Sequence, residues 1–393
     1  MSTPRAIFAG KIWTPEGFLE QGTLWLEDGV IAAVDRTVTS GDGILDAGDD
    51  VVIPGLIDIQ VNGALNWSFQ AQHRSHFDAI LAHHRSRGTT TLLPTLVTAP
   101  VETLTQSLRV LADYLDDAPN MTLPGIHLEG PFLAPEKSGA HDPAALTLPD
   151  ANLAHRFVDA ARGRISLFTL APELPGALPV IAALVQQGII VSAGHTAATY
   201  ATMQDALRAG LSCVTHAGNA SDWPHRAPGV LGFMASEPGI VGTLLAEPNL
   251  TCGVIMDGHH FHPALLAPLV QVKGADHVVL VSDASTVAGC PPGNYTGGGL
   301  EVTIHPEGFA TSGRGGGWLA GSTITLLDAL QRAVKLARLP LHTAVYMATH
   351  APALLLGLSP RKGSLMPGSD ADLLVLDSDL NLKHVLVRGH LIH

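Results

Sequence analysis

Cysteine is scarce. Cys213, Cys252 and Cys290 are the only three in 393 residues, and no two form a CxxC pair. An odd number cannot pair fully within one chain, which argues against a disulfide framework and for reduced thiols in a cytoplasmic setting. Positive charge is also short: 22 Lys and Arg stand against 35 Asp and Glu, a formal net charge of −13, with no basic run. A nucleic-acid partner is therefore not expected, because such binding needs a positive field. No uninterrupted apolar stretch reaches about 18 residues, so no membrane span is expected. The opening MSTPRAIFAGKIW lacks the apolar centre of a secretory signal. Internal repeats are absent, and the glycines of TSGRGGGWLAGS do not follow a strand with dinucleotide-binding spacing, so that segment reads as a loop.

What remains is ordinary globular chemistry, 46% hydrophobic, with an unusual 20 histidines. Both ends are alternating or β-branched runs broken by Gly and Asp: AIFAGKIWT, GTLWLEDGVIAAVD and ILDAGDDVVI at the start, KGSLMPGSDADLLVLDSDLNLKHVLVRGHLIH at the end. Between them lie eight near-continuous apolar runs: VVIPGLIDIQ, TTTLLPTLV, TLPGIHLE, SLFTLAP, GIIVSAGH, LSCVTHAG, CGVIMDG and HVVLVSDA. Such runs suit parallel strands covered on both faces. Helical patterns separate them: Leu104, Leu108, Leu111 and Leu115 share one face, and YATMQDALRAG stops at Gly210. The expected fold is a (β/α)8 TIM-like barrel over residues 54–356, with a small β-sandwich domain built from 1–53 and 357–393.

The strand ends are polar. The first ends at Gln60 and Asn62, the third at Glu129, the fifth at His195, the sixth at His216, the seventh at Asp257 and the eighth at Asp283. In a parallel barrel these ends share one mouth, where active sites form. A lone His after an apolar run is usually a structural residue; six polar ends on one rim are harder to explain as packing. Glu129, His195 and His216 form a ligand set suited to one borderline divalent ion, zinc first, with Fe, Co or Mn as alternatives. Three protein ligands leave a position for water or substrate, the catalytic arrangement. Asp283 is then the group to take a proton from water and return it to a leaving group.

These segments resemble the amidohydrolase superfamily, and within it the N-acetylglucosamine-6-phosphate deacetylases. The likeness runs from PGLIDIQVNG through GTTTLLPTLVT, GIHLEGPFL, SGAHDP, SAGHT, VTHAGNA, HRAPG, MDGHHFHP, SDAS and LAGST to KGSLMPGSDADLLVLD. It implies a hydrolase of amino-sugar metabolism, a homodimer, with Glu129, His195 and His216 on the metal and Asp283 as base, then acid. His141 would polarise the acetamide carbonyl, and Ala140 and His141 would line the sugar site. Asn219, Ala220, Arg226 and His260 would contact the phosphate. Leu319, Ala320 and Gly321 would edge the acetyl group. Gln60 and Asn62 stand where many relatives carry His-x-His and a second metal, which implies the one-metal branch. The chain departs from the family pattern at SDWPHRAPG, after Ala220, and at ALNWSFQ. Those departures leave open N-acetylgalactosamine 6-phosphate or another acetamido sugar. A non-catalytic scaffold is the reading from another class, disfavoured because all four chemical positions carry competent residues.

Overall fold

The run from Val51 to Gln60, expected as one strand, is two. The structure is a computed structural model that describes residues 4–37, 40–116, 121–228, 234–297, 300–313 and 317–392. In it, Val51–Pro54 and Leu56–Val61 flank Gly55 and enter different sheets. A Cβ on Gly55 would stand 2.2 Å from Thr90 Oγ1. Only glycine lets the chain pass Thr90 this closely.

Leu56–Val61 is the first barrel strand, β1. It is followed by β2 (Thr89–Val97), β3 (Ile126–Glu129), β4 (Ile165–Leu170), β5 (Ile190–Ala193), β6 (Cys213–Val214), β7 (Thr251–Ile255) and β8 (Val278–Val281). These eight pair side by side in chain order, and every pairing is parallel. Between β8 and β1 the seam closes through the Val61–Ala284 bridge and Asn62 N–H donating to the Ala284 carbonyl at 2.9 Å. A helix follows each strand: α1 (Arg74–Arg85), α2 (Val101–Leu115), α3 (Ala151–Ala160), α4 (Ala177–Gln186), α5 (Tyr200–Arg208), α6 (Gly239–Ala246), α7 (Leu266–Lys273) and α8 (Leu326–Lys335). This is the (β/α)8 architecture that the eight apolar runs predict.

Strand alternation sorts the barrel. Leu92, Leu96, Leu128 and Phe168 point outward into the main core, where α2 presents Leu104, Leu108, Leu111 and Leu115 on its inner face. Burying each such leucine stabilises the fold by about 1.5–3 kcal/mol. Ile59, Leu93, Leu167, Ile255, Val279 and Val281 fill the barrel interior. A polar layer joins them: His127 Nε2 lies 2.8 Å from Thr169 Oγ1, itself 2.7 Å from Thr215 Oγ1. The two-residue period that turns His127 inward also turns Glu129 inward, one step nearer the mouth.

The chain ends form one continuous eight-stranded sheet: Ala6–Thr14, Gly17–Glu27, Val30–Asp35, Ile44–Asp46, Val51–Pro54, Leu373–Leu376, Leu382–Val387 and His390–Leu391. Ile7, Ala9, Val52, Leu373 and Val375 enclose a core within this sheet. The alternate residues Val51, Ile53, Leu374 and Leu376 join the barrel core instead. Beside the sheet, buried Lys362 is ion-paired with Asp370 at 2.9 Å and with Asp372.

Two insertions at the mouth escape the strand–helix pattern. After β6, His225–Pro228 and Met234–Glu237 form a hairpin. After β8, Gly293–Gly297, Leu300–Ile304 and Ala310–Ser312 form a three-stranded antiparallel sheet. Of the Gly-rich segment beyond it, residues 314–316 lie outside the described residues. All three cysteines are free. No described helix is long and apolar enough to cross a membrane.

Candidate active site

Three residues at strand ends share an uncommon backbone. His195, His216 and Asp283 have φ of 50°, 27° and 46°, in the left-handed region that costs a non-glycine residue about 1–3 kcal/mol unless its surroundings hold it there. Each carbonyl is held by a backbone N–H: Ala134 on His195 at 3.0 Å, Asn219 on His216 at 3.0 Å and Ser322 on Asp283 at 2.8 Å. The bend lets each strand turn its last side chain across the mouth.

There Glu129 Oε1 lies 3.0 Å from His216 Nε2 and 3.2 Å from His195 Nε2. The His195 and His216 rings stand edge to face, 4.9 Å between centroids. His141 packs on His195 at 4.3 Å. Glu129, His141 and His195 each offer a donor atom within 4.8 Å of the other two. His216 touches the carboxylate directly from a strand end, whereas His141 comes from a loop. The structure thus brings all four together.

The protonation pattern fits a cation among them. His195 Nδ1 lies 2.8 Å from the Lys137 carbonyl and must donate to it. With Nδ1 donating there, Nε2 faces Glu129 Oε1 at 3.2 Å, a contact that a proton or a cation bridges. Burial raises the Glu129 pKa, but hydrogen bonds from His195 and His216 more than reverse it and hold the carboxyl well below its usual range. Burial lowers His216, and its bond to Glu129 turns the net shift upward. Glu129, His195 and His216 offer the carboxylate and imidazole donors that a divalent ion accepts. His216 Nδ1 is buried without a partner.

Two amides orient the carboxylates. Gln60 Nε2 donates to Glu129 Oε2 at 3.2 Å, and Asn62 Nδ2 to Asp283 Oδ1 at 2.7 Å. Burial, then the nearby Glu129, push the Asp283 pKa up to about 6. Burial, then His195, push His141 down to about 3, so its ring is neutral.

Around this centre is a cavity of about 840 Å³, lined among others by Asn62, Glu129, Lys137, Ala140, His141, His195, His216, Asn219, Ala220, His260, Asp283, Leu319, Ala320 and Gly321. His260 is distinguished from its neighbours here. Its Nδ1 meets Asp257 Oδ2 at 2.6 Å, while Asp257 Oδ1 accepts the N–H of His259 and of His260. His259 packs on Phe309 instead, and His262 caps Ala264. Asp257 was legible only as a polar strand end; the DGHH spacing of three residues is the signal for its pairing with His260. Arg226 stands apart, exposed on the hairpin and not among the lining residues. The SDW segment, where the chain departs from the family pattern, packs back toward the site. Trp223 Nε1 donates to the Gly218 carbonyl at 3.0 Å, and a Cβ on Gly218 would meet the indole at 2.7 Å. Trp223 thus packs its indole against the backbone just before Asn219.

Residues 51–392 match the model of the amidohydrolase family. The chain is 34% identical to N-acetylglucosamine-6-phosphate deacetylase of Bos taurus, covering 96% of this chain and 92% of that one. It is 33% identical to N-acetylgalactosamine-6-phosphate deacetylase of Escherichia coli O157:H7, covering 98% of both. Among solved structures, N-acetyl-D-glucosamine-6-phosphate deacetylase from Mycobacterium smegmatis superposes with a TM-score of 0.90 at 32% identity, over 99% of this chain and 100% of that one. A mutant of the same enzyme was solved in complex with N-acetyl-D-glucosamine-6-phosphate, with equal TM-score and identity over 99% of both chains. This chain belongs to the amidohydrolase family, alongside the acetamido-sugar-phosphate deacetylases it is similar to.

Proposed function

We propose that the protein hydrolyses the acetamide of N-acetyl-D-glucosamine 6-phosphate, releasing acetate and D-glucosamine 6-phosphate. The observation that carries this reading is a buried carboxylate base, Asp283, beside a Glu129–His195–His216 cluster in one cavity. A divalent ion, zinc first, held by Glu129, His195 and His216 would supply a Lewis acid for the carbonyl and acidify water. Asp283 takes a proton from the attacking water as its oxygen adds to the acetamide carbon. Neutral His141 donates a ring N–H toward the carbonyl oxygen, where negative charge develops. Asp283, now protonated, gives its proton to the amine nitrogen as the C–N bond breaks. A pKa of about 6 suits both halves of that exchange near neutral pH.

Ala140, Asn219, Ala220 and His260 belong to the sugar-phosphate site in this reading, and Leu319, Ala320 and Gly321 to the acetyl side; Arg226, exposed on its hairpin, would reach a phosphate from the second subunit of the homodimer. Gln60 and Asn62 take the place of second-metal ligands, which limits the centre to one ion. A homodimer and a cytoplasmic location complete the proposal. Asp257 Oδ2 at 2.6 Å supports His260 as a substrate contact, because it fixes the ring with Nε2 available. N-acetylgalactosamine 6-phosphate is the second reading, favoured by the Escherichia coli relative of that name.

An acetate-release assay decides between them. N-acetylglucosamine 6-phosphate, N-acetylgalactosamine 6-phosphate and N-acetylglucosamine are compared, with and without added divalent metal. The first should be hydrolysed with the highest kcat/KM, in a metal-dependent way. Release from none of the three by metal-loaded protein would reject deacetylation.

A further inference from the structure

We propose that Lys137 receives the anionic group of the substrate, and that Asp222 competes with that group for the Lys137 ammonium. The proposal rests on the reading above, that the substrate is a phosphorylated acetamido sugar.

Among the described residues that line the cavity, Lys137 is the only Lys or Arg, while Glu129, Glu136, Asp142 and Asp283 supply carboxylates. A phosphate monoester brings about −1.5 to −2 more charge at neutral pH. An anion entering a carboxylate-rich cleft needs cationic contacts, and within one subunit Arg226, exposed on its hairpin away from the lining, does not supply one. Lys137 is well placed. Its carbonyl holds His195 Nδ1 at 2.8 Å. A Cβ on Gly139, two residues on, would lie 3.8 Å from Ala220 Cβ. The turn carrying Lys137 therefore borders both the reacting centre and the Asn219–Ala220 segment. Its ammonium is ion-paired with Asp222, which follows Ala220 by two residues. Between them in sequence, Ser221 lines the cavity with a buried hydroxyl that has no partner. An ammonium has three donors and the hydroxyl a fourth, enough to meet three phosphate oxygens. A dianion competes with the single charge of Asp222 for Lys137; an uncharged sugar cannot. The pair would then make the site select for phosphorylated substrates.

Steady-state kinetics on N-acetylglucosamine 6-phosphate and N-acetylglucosamine test this with metal-loaded wild type, Lys137→Met, Lys137→Arg and Asp222→Asn. Lys137→Met should lower the preference for the phosphorylated sugar, as a ratio of kcat/KM values, by about tenfold, the loss of one charge-assisted hydrogen bond. The change should appear in KM, Lys137→Arg should recover most of it, and Asp222→Asn should lower KM for the phosphorylated sugar. An unchanged preference in Lys137→Met, or an equal loss on both sugars, overturns the proposal. Calorimetric titration with glucosamine 6-phosphate separates the two readings. A Kd unaltered by Lys137→Met rejects the anion role even in an active enzyme. A Kd weakened about tenfold supports it even if no acetate is released and deacetylation is rejected.

Discussion

Asn62 Nδ2 donates to Asp283 Oδ1 at 2.7 Å, joining the end of β1 to the end of β8. Two residues before Asn62, Gln60 does the same for Glu129 Oε2. The positions where a two-metal centre would carry imidazoles thus carry amides whose N–H groups hold the carboxylates of the proposed base and of the proposed ligand. An amide donor favours the charged form of the carboxylate it faces.

From this pairing comes a prediction about pH. The Asn62 bond lowers the Asp283 pKa against burial, which raises it to about 6. Asn62→Ala removes the lowering contribution, so the pKa rises. A general base works above its pKa, so the acid limb of the kcat profile should move to higher pH, with a larger loss at pH 6 than at pH 8. A limb that stays put or moves to lower pH would count against Asp283 as the base.

Asp283→Asn should keep the metal, because Asp283 is not in the proposed ligand set, and should lower kcat by about 10³–10⁴-fold, the scale of losing an essential proton carrier. Metal stoichiometry and kcat on the same preparation check both halves. Retained kcat would move the base elsewhere.

Removing the ion with a chelator should abolish acetate release and lower Tm, since a ligand that binds only the folded state stabilises it. Re-addition of zinc should restore both. In Glu129→Gln the restoration should fail, because a neutral amide cannot balance the cation. A Tm unaffected by chelation of the wild type would argue against an ion at this site.

Lys362 and Asp370 concern stability alone. Asp370 is buried, and although burial raises its pKa, bonds from Arg361 and Lys362 bring it below its ordinary value. A folded-state pKa below the unfolded one stabilises at pH values above the unfolded pKa, about 3.9, and the contribution disappears as pH falls through the folded value. Asp370→Asn should therefore cost about 3–5 kcal/mol at pH 7, the scale of breaking a buried pair from one side. The gap to wild type should narrow below about pH 4. Chemical denaturation at pH 7 and pH 3 measures it; a gap that widens in acid would contradict the pairing.

Gly55→Ala should destabilise by about 1–3 kcal/mol through overpacking, since the added Cβ meets Thr90 Oγ1 at 2.2 Å. The double variant with Thr90→Ser, which removes the methyl 2.6 Å from that Cβ, should recover part of the loss. Urea unfolding of both variants provides the comparison.

The sequence by itself determined the barrel and the identity of its rim. Apolar runs alternating with helical stripes leave few other ways to bury both faces of a parallel sheet, and strand ends must then share one mouth. Glu129, His195, His216 and Asp283 were legible for that reason: each directly ends such a run. Periodicity could not divide Val51–Gln60 between two sheets, because a continuous apolar run looks the same whichever neighbour it pairs with. Nor could it predict left-handed φ at His195, His216 and Asp283, a strain held at His195 and Asp283 by N–H groups of residues distant in sequence. The pairing of His260, rather than His259 or His262, with the Asp257 side chain needed the fold, and the exposed position of Arg226 needed the hairpin. The Lys137–Asp222 pair spans 85 residues. Side-chain chemistry is written locally, but which charge meets which is decided when the loops after β3 and β6 reach the same mouth of one barrel.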